Sequence, residues 1–194
     1  MKKIMKITPY KILLGSKSPR RKELLKKMDL KFKVVEVESD ESYPEILPAS
    51  EIPEYLSLKK SLNYNNLKKN ELLVTADTIV VIKGVVLGKP KNKTEAKKML
   101  KWLSGRKHRV ITGVCLRTKN DILTFSDMSE VYFKKLTLKE ISYYVDNYRP
   151  FDKAGGYGVQ DWIGLVGIEK IKGSFYNIMG LPTEKLMTYL KECK

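Results

Sequence analysis

Histidine is almost missing from this chain. His108 is the only one among 194 residues, which argues against a histidine-rich zinc site and against a Ser-His-Asp triad built elsewhere. Any metal would then be held by carboxylates and water, the donor set of a magnesium-type ion. Cysteine is nearly as scarce. Cys115 lies inside an apolar run and Cys193 in the tail, so no disulfide framework is expected and a cytoplasmic location is. No run of about 18 apolar residues occurs, so no transmembrane helix is expected. Met1-Lys2-Lys3-Ile4-Met5-Lys6 is charged but has no long apolar segment behind it, unlike a signal peptide. Internal repeats, low-complexity tracts and linkers are also missing. Acidic residues are outnumbered, 22 Asp plus Glu against 38 Lys plus Arg, for a net charge of +16. Such a surplus suits an anionic partner, nucleic acid or a polyphosphate. The lysines are spread along the whole chain, however, so most read as solubilising. Function is reserved for those inside motifs.

What is present is a globular composition, 42% hydrophobic and 31% charged, fitting one domain over residues 1–194. Its organising stretch is Gly15-Ser16-Lys17-Ser18-Pro19-Arg20-Arg21. The run Ile12-Leu13-Leu14 before it reads as a buried strand. Leu24, Leu25 and Met28 after it form a helical face. Ser18 then stands at the N-cap and Pro19 at the first helical position. The first amides of a helix lack intrahelical partners and carry partial positive charge, and two arginines add forked donors suited to phosphate. The stretch reads either as a cradle for a multiply charged anion or as a capped surface helix with solvated arginines.

Along the chain, Phe32 to Val37 reads as a strand, followed by the polar segment Glu38 to Ser42. A helix is expected over Glu51–Leu67, with Ile52, Tyr55, Leu58 and Leu62 at helical spacing. Leu72 to Ile82 is the strongest strand signal, and Lys83-Gly84 turns it into Val85-Val86-Leu87. Thr94 is expected to cap a helix that Gly105 stops. His108 to Arg117 and Ile122 to Phe133 are long strand candidates. Thr137 and Glu140 have capping-box spacing, and their helix is expected to end near Val145. Pro150 to Gln160 is a glycine-rich loop. Ile163 to Ile171 and Phe175 to Met179 read as a hairpin, and Pro182 opens a last helix with Leu186, Met187 and Leu190 inward. Few regular βαβ units occur, so the fold class is α/β with a mixed sheet.

Asp77 is the most telling single residue. A carboxylate inside an apolar strand is costly to bury unless paired or metal-bound. It reads as a metal ligand or general base, or else as a turn cap at a strand end. Asp40-Glu41 follows a strand end, where ligands gather in open α/β sheets. Lys89 has its direction fixed by Pro90. Gly84 to Lys89 resembles a P-loop at a glance, but the glycine spacing is one residue short and Pro90 replaces the required Ser or Thr. No nucleic-acid module is recognisable, and Tyr143, Tyr144 and Tyr148 fit core packing better than base stacking.

These residues carry a resemblance. Leu14 to Leu25 resembles the opening signature of the Maf family of nucleoside triphosphate pyrophosphatases. Ala76-Asp77-Thr78 with Gly88-Lys89-Pro90 resembles further motifs of that family, as does Leu103-Ser104-Gly105-Arg106 with Thr112-Gly113-Val114. Asp152 to Gln160 and Asn177 to Pro182 complete the set, in the family's order and over nearly the whole chain. Departures are small: Gly15, Gly156 and Ser61 stand where alanine is common.

The resemblance implies a long mixed β-sheet with flanking helices and a cleft between two lobes, similar to inosine triphosphate pyrophosphatases. It implies that Ser16, Arg20, Arg21, Lys60 and Lys89 hold the substrate's phosphates. Glu41 and Asp77 would lie at the metal and the attacking water, with Asp77 the proton acceptor. Arg21, Thr78 and Gln160 match the positions that separate branches by base, and this Arg, Thr, Gln set belongs to the branch acting on dTTP and UTP. The implied cofactor is a divalent cation, Mg²⁺ first, with Mn²⁺ or Co²⁺ as alternatives. The implied assembly is a homodimer, without membrane or nucleic-acid partners. The family's attributed roles are nucleotide pool sanitation and the arrest of division, or septum formation. The rival reading is a basic nucleic-acid-binding protein without catalysis. It accounts for the charge, but leaves Asp77 and Glu41 as carboxylates that would repel a phosphate backbone.

Overall fold

The computed structural model describes residues 7–38 and 40–193. The opening segment Met1 to Lys6, compared above with a signal peptide, lies outside the described residues, as do Ser39 and Lys194. In chain order the elements are β1 (Lys11–Leu14), α1 (Pro19–Lys27), β2 (Phe32–Val34), α2 (Ile52–Leu62), β3 (Glu71–Ile82), β4 (Val85–Leu87) and α3 (Lys93–Leu103). They continue with β5 (Lys107–Arg117), β6 (Ile122–Phe133), α4 (Leu138–Tyr148), α5 (Trp162–Gly167), β7 (Ile168–Lys172), α6 (Phe175–Met179) and α7 (Thr183–Glu192). A 3₁₀ turn covers Ala154–Gly156 between α4 and α5. Among the described residues the strands form one seven-stranded sheet in the order β2-β1-β3-β5-β6-β7, with β4 on β3. β1 runs parallel to both β2 and β3, while β3/β4 and β6/β7 are antiparallel. The α/β class and mixed sheet are as expected.

The chain divides into two compact units. The first comprises residues 1–77, 112–127 and 180–194, and the second 78–111 and 128–179. In the first unit, β1 and the start of β3 are apolar on both sides, with Leu14, Leu72, Leu73 and Val74 fully buried. Strands covered on both faces read as such runs. Leu24 and Leu25 of α1 are equally buried, and burying each stabilises by about 1.5–3 kcal/mol. The second unit has its own core, in which α3 and α4 contribute Leu100, Leu103, Ile141, Tyr144 and Val145.

Several elements differ from the sequence reading. α2 ends at Leu62 rather than Leu67, and it buries Ile52, Pro53, Leu56, Ser57 and Ser61 while Tyr55 and Leu62 are exposed. Close approach to the sheet selects this face. A Cβ on Gly113 would lie 2.2 Å from the Pro53 carbonyl carbon and the Glu54 nitrogen, so small residues line the seam. The Ser57 carbonyl accepts the Thr75 hydroxyl at 2.7 Å there. β2 stops at Val34, short of Val37. Asn92, not Thr94, caps α3, its side chain accepting from the Glu95 amide at 2.9 Å. α4 keeps its Thr137/Glu140 capping box but runs to Tyr148, ended by Arg149 at φ 47°. Of the three tyrosines, only Tyr144 is core, Tyr143 and Tyr148 being exposed. The expected hairpin over 163–179 is instead α5, β7 and α6. Ile163 and Gly167, four residues apart, turn inward on α5, and the Ser174 hydroxyl accepts the Asn177 amide at the start of α6. A short apolar run does not distinguish strand from helix by period. In α7, Leu186 and Leu190 are buried and Met187 only partly so.

Candidate active site

Six of the nine candidate residues fall in the first unit: Ser16, Arg20, Arg21, Glu41, Lys60 and Asp77. The strand–loop–helix geometry around Ser16 is as read from sequence. Ser18 caps α1, its hydroxyl accepting from the Arg21 amide at 3.5 Å, and Pro19 is at the first turn. The Ser16 hydroxyl accepts from the Ser18 amide at 3.2 Å and from the Arg21 guanidinium at 3.3 Å. Arg21 Nε also donates to the Gly180 carbonyl at 2.8 Å. Arg21 is therefore anchored rather than solvated, against the bland reading of this stretch. Burial pulls its pKa below the ordinary arginine value, Arg20 pulls the same way, and the Asp77 and Glu41 carboxylates oppose. Arg20, Arg21, Asp77 and Glu41 thus share one electrostatic neighbourhood.

Asp77 sits within β3, 8% exposed, with buried Thr75 and Ala76 before it. It does not cap a turn. Its Oδ1 accepts the ammonium of Lys60 from α2 in a short ion pair. The same ammonium lies 4.0 Å from Glu41 Oε1. A buried carboxylate needs such a partner. The segment carrying Glu41 is itself tied to α2. Lys59 Nζ pairs with Asp40 and donates to the Ser42 carbonyl at 2.9 Å and its hydroxyl at 2.8 Å. The Asn63 side chain donates to the Glu38 carbonyl at 2.7 Å. Lys59, followed by Ser42, holds the Asp40 carboxyl well below the usual carboxylate range. Consecutive lysines on one helix thus divide the work: Lys59 fixes the segment and Lys60 meets its carboxylate.

Thr78, Lys89 and Gln160 belong to the second unit. Lys89 is exposed between Gly88 and a buried Pro90. The Gly88 carbonyl accepts the Gly155 amide at 3.0 Å, which joins the Gly-Lys-Pro turn to the glycine-rich loop. Gly155 has φ +70° and a Cβ there would lie 3.0 Å from Val80, so conformation and close approach both require glycine. Gln160 lies in a turn that Tyr144 clasps. The Tyr144 hydroxyl donates to Asp161 Oδ2 at 2.7 Å and accepts the Gly158 amide at 3.0 Å. Burial, with the Asp161 hydrogen bond and charge, pushes the Tyr144 pKa up, so the hydroxyl stays protonated. Gln160 Oε1 is buried without a hydrogen-bond partner among the described residues, so its acceptor capacity is unused.

A family model described as Maf-like protein matches residues 11–193. The chain belongs to the Maf family. Among its curated relatives, a protein of Parabacteroides distasonis is 52% identical over 94% of this chain and 95% of its own length. One of Phocaeicola vulgatus is 50% identical over 94% and 96%, and one of Flavobacterium psychrophilum 51% over 93% of each. All three carry the name dTTP/UTP pyrophosphatase.

A divalent cation of the kind implied for this Maf protein fits its donor set. Asp77 and Glu41 already share one cation, the Lys60 ammonium. The described residues contain no cluster of three or more His, Cys, Asp or Glu side chains able to hold a metal. Two carboxylates suit a hard cation that keeps waters and takes substrate phosphate oxygens as its other ligands. Sequence reasoning missed Lys59 and Tyr144. Lys59 is hidden by its resemblance to any exposed helix lysine, and Tyr144 by its place in an apolar stripe.

Proposed function

We propose that this Maf protein hydrolyses the pyrimidine nucleoside triphosphates dTTP and UTP, and modified pyrimidine nucleotides, to the nucleoside monophosphate and pyrophosphate. The observation that carries this reading is the buried Asp77 carboxylate within β3, paired with Lys60 and sharing its surroundings with Arg20, Arg21 and Glu41. The relatives' names point the same way. We take residues 1–194 as one functional domain in this reading.

A triphosphate brings about four negative charges. Ser16, Arg20, Arg21, Lys60 and Lys89 are assigned to its oxygens, where preorganised donors stabilise the charge that moves onto the leaving pyrophosphate. A Mg²⁺ ion, or Mn²⁺ or Co²⁺, held by Glu41 and Asp77 would lower the pKa of a bound water and neutralise phosphate charge. Asp77 is assigned as the proton acceptor from the water that attacks the α-phosphorus, while the bond to the bridging oxygen breaks. Arg21, Thr78 and Gln160 are assigned to base choice, Gln160 supplying an acceptor and a donor to a pyrimidine edge. The free thiols Cys115 and Cys193 support a reducing, cytoplasmic location. A homodimer, with roles in nucleotide pool sanitation or division control, completes the proposal, and sedimentation tests the dimer.

The experiment is a screen of nucleoside triphosphates with Mg²⁺, reading monophosphate and pyrophosphate. Turnover of dTTP and UTP well above ATP and GTP, abolished by a chelator, is expected. A purine preference would overturn the base assignment. Salt-sensitive nucleic-acid binding without turnover would favour the rival reading.

A further inference from the structure

One ammonium serves two carboxylates in the first unit. Lys60 reaches from α2 to Asp77 on β3 and lies 4.0 Å from Glu41. Side-chain exposure is 16% for Lys60 and 11% for Asp77, so the pair is largely shielded from solvent. Lys59 holds both neighbours of Glu41, Asp40 and Ser42, which keeps that carboxylate near the ammonium. These are also the two carboxylates assigned above to the metal, and the lysine is one of the groups assigned to phosphate.

From this we infer that Lys60 is a tethered counter-ion that keeps divalent metal off the carboxylate pair until a triphosphate arrives. A cation on Asp77 and Glu41 and the Lys60 ammonium cannot both neutralise the pair at full strength, so they compete. A phosphate oxygen is an alternative partner for the ammonium. Binding of the nucleotide draws Lys60 away, releases the carboxylates and supplies further metal ligands at the same time. Metal and nucleotide are therefore taken up together, and each raises the affinity for the other by the same factor. In the resting protein the buried Asp77 carboxylate stays paired with the Lys60 ammonium, and Glu41, its side chain 53% exposed, lies at the edge of that pair.

The inference rests on the proposed roles of Glu41 and Asp77, and its test is binding rather than turnover. Mn²⁺ alone is titrated into the full chain without nucleotide, and free Mn²⁺ is read by electron paramagnetic resonance. Lys60→Met is expected to bind Mn²⁺ at least about tenfold more tightly than wild type, or about 1.4 kcal/mol. Lys60→Arg, which keeps the charge, is expected to show no gain. Adding Asp77→Asn to Lys60→Met is expected to abolish the gain. If Lys60→Met does not fold, as judged by its melting temperature, Lys60→Gln carries the same test. Equal Mn²⁺ affinity in the wild type and the neutral variant would overturn the inference, as would a gain that survives Asp77→Asn. A nonhydrolysable dTTP analogue is expected to raise Mn²⁺ affinity more in wild type than in Lys60→Met, and equal enhancement would overturn it too. An analogue that binds neither protein would remove the nucleotide reading, while the Mn²⁺ titration would still decide whether Lys60 guards the carboxylates.

Discussion

Around Asp77, in the first unit, the holding forces are between full charges: Lys60 with Asp77 and Glu41, and Lys59 with Asp40. Around Gln160, in the second unit, the work is done by one tyrosine hydroxyl, a backbone amide and a single aspartate, with a glycine turn behind Lys89. The difference follows the tasks proposed for them. Phosphate and metal are recognised by charge, and a lysine on a flexible stem can exchange partners. A base edge is recognised by direction, which needs acceptors and donors held at fixed angles. The first region should then respond to removal of charge, and the second to removal of one hydroxyl or to loosened packing.

Asp77→Asn is the largest break. It keeps the shape of the side chain and removes its charge and basicity. Turnover should fall about a hundredfold to ten-thousandfold, the range for general-base loss. Nucleotide affinity should survive and the ratio of dTTP to ATP turnover should hold, because base choice lies with other residues. Full turnover in the variant would remove Asp77 as the base. Lost turnover with a collapsed melting temperature would give Asp77 a structural role.

The second break uses pH. The chain's single histidine, His108 on β5, belongs to the second unit, is 2% exposed and meets the Tyr157 hydroxyl at 2.7 Å. Burial lowers its pKa to about 4 from 6.5, with the Arg106 backbone opposing slightly. Between those values the unfolded chain binds more protons than the folded one, so stability rises with pH there. The contribution is complete above about 6.5 and is lost on acidification towards about 4. It amounts to about 3 kcal/mol at most, at 1.36 kcal/mol per pH unit. Urea unfolding at pH 7 and pH 5 measures the part lost over that range, about 2 kcal/mol, and His108→Gln should remove most of that difference. An unchanged difference would show that other groups carry it.

Tyr144→Phe should give the smallest effect and the sharpest contrast. It deletes the hydroxyl that clasps Gly158 and Asp161 on either side of Gln160. The preference in kcat/KM for dTTP over ATP should fall about tenfold, close to the value of one buried hydrogen bond, mostly through a raised KM for dTTP. Little change in kcat is expected, and the Mn²⁺ affinity of the first unit should not move. An equal loss for all nucleotides would make Tyr144 a stability residue only.

Much of the site was legible because its signals are local. Ser18 before Pro19, the arginines of the first turn, and a carboxylate within an apolar strand are decided within a few residues of chain, by capping and by the cost of burying charge. The capping box of α4 and the Lys83-Gly84 turn, whose two residues both have positive φ, were legible for the same reason. Other features were not. The inward face of α2 was misread because serines can be buried where a glycine of a distant strand lets the helix approach. The segment 163–179 was misread because runs of five or six apolar residues fit either period.

The sequence alone determined the α/β class, the sheet's main strands, the Maf membership and the identity of the charged groups, since each is written in contiguous residues. Only the tertiary structure decided which of those charges meet. Lys59 and Lys60 are adjacent in the chain, yet one holds Asp40 and the other Asp77. One helical step is about 100° of rotation, and the partners lie 19 and 17 residues away. Such pairings depend on how α2 seats on the sheet, a packing outcome that no local pattern encodes.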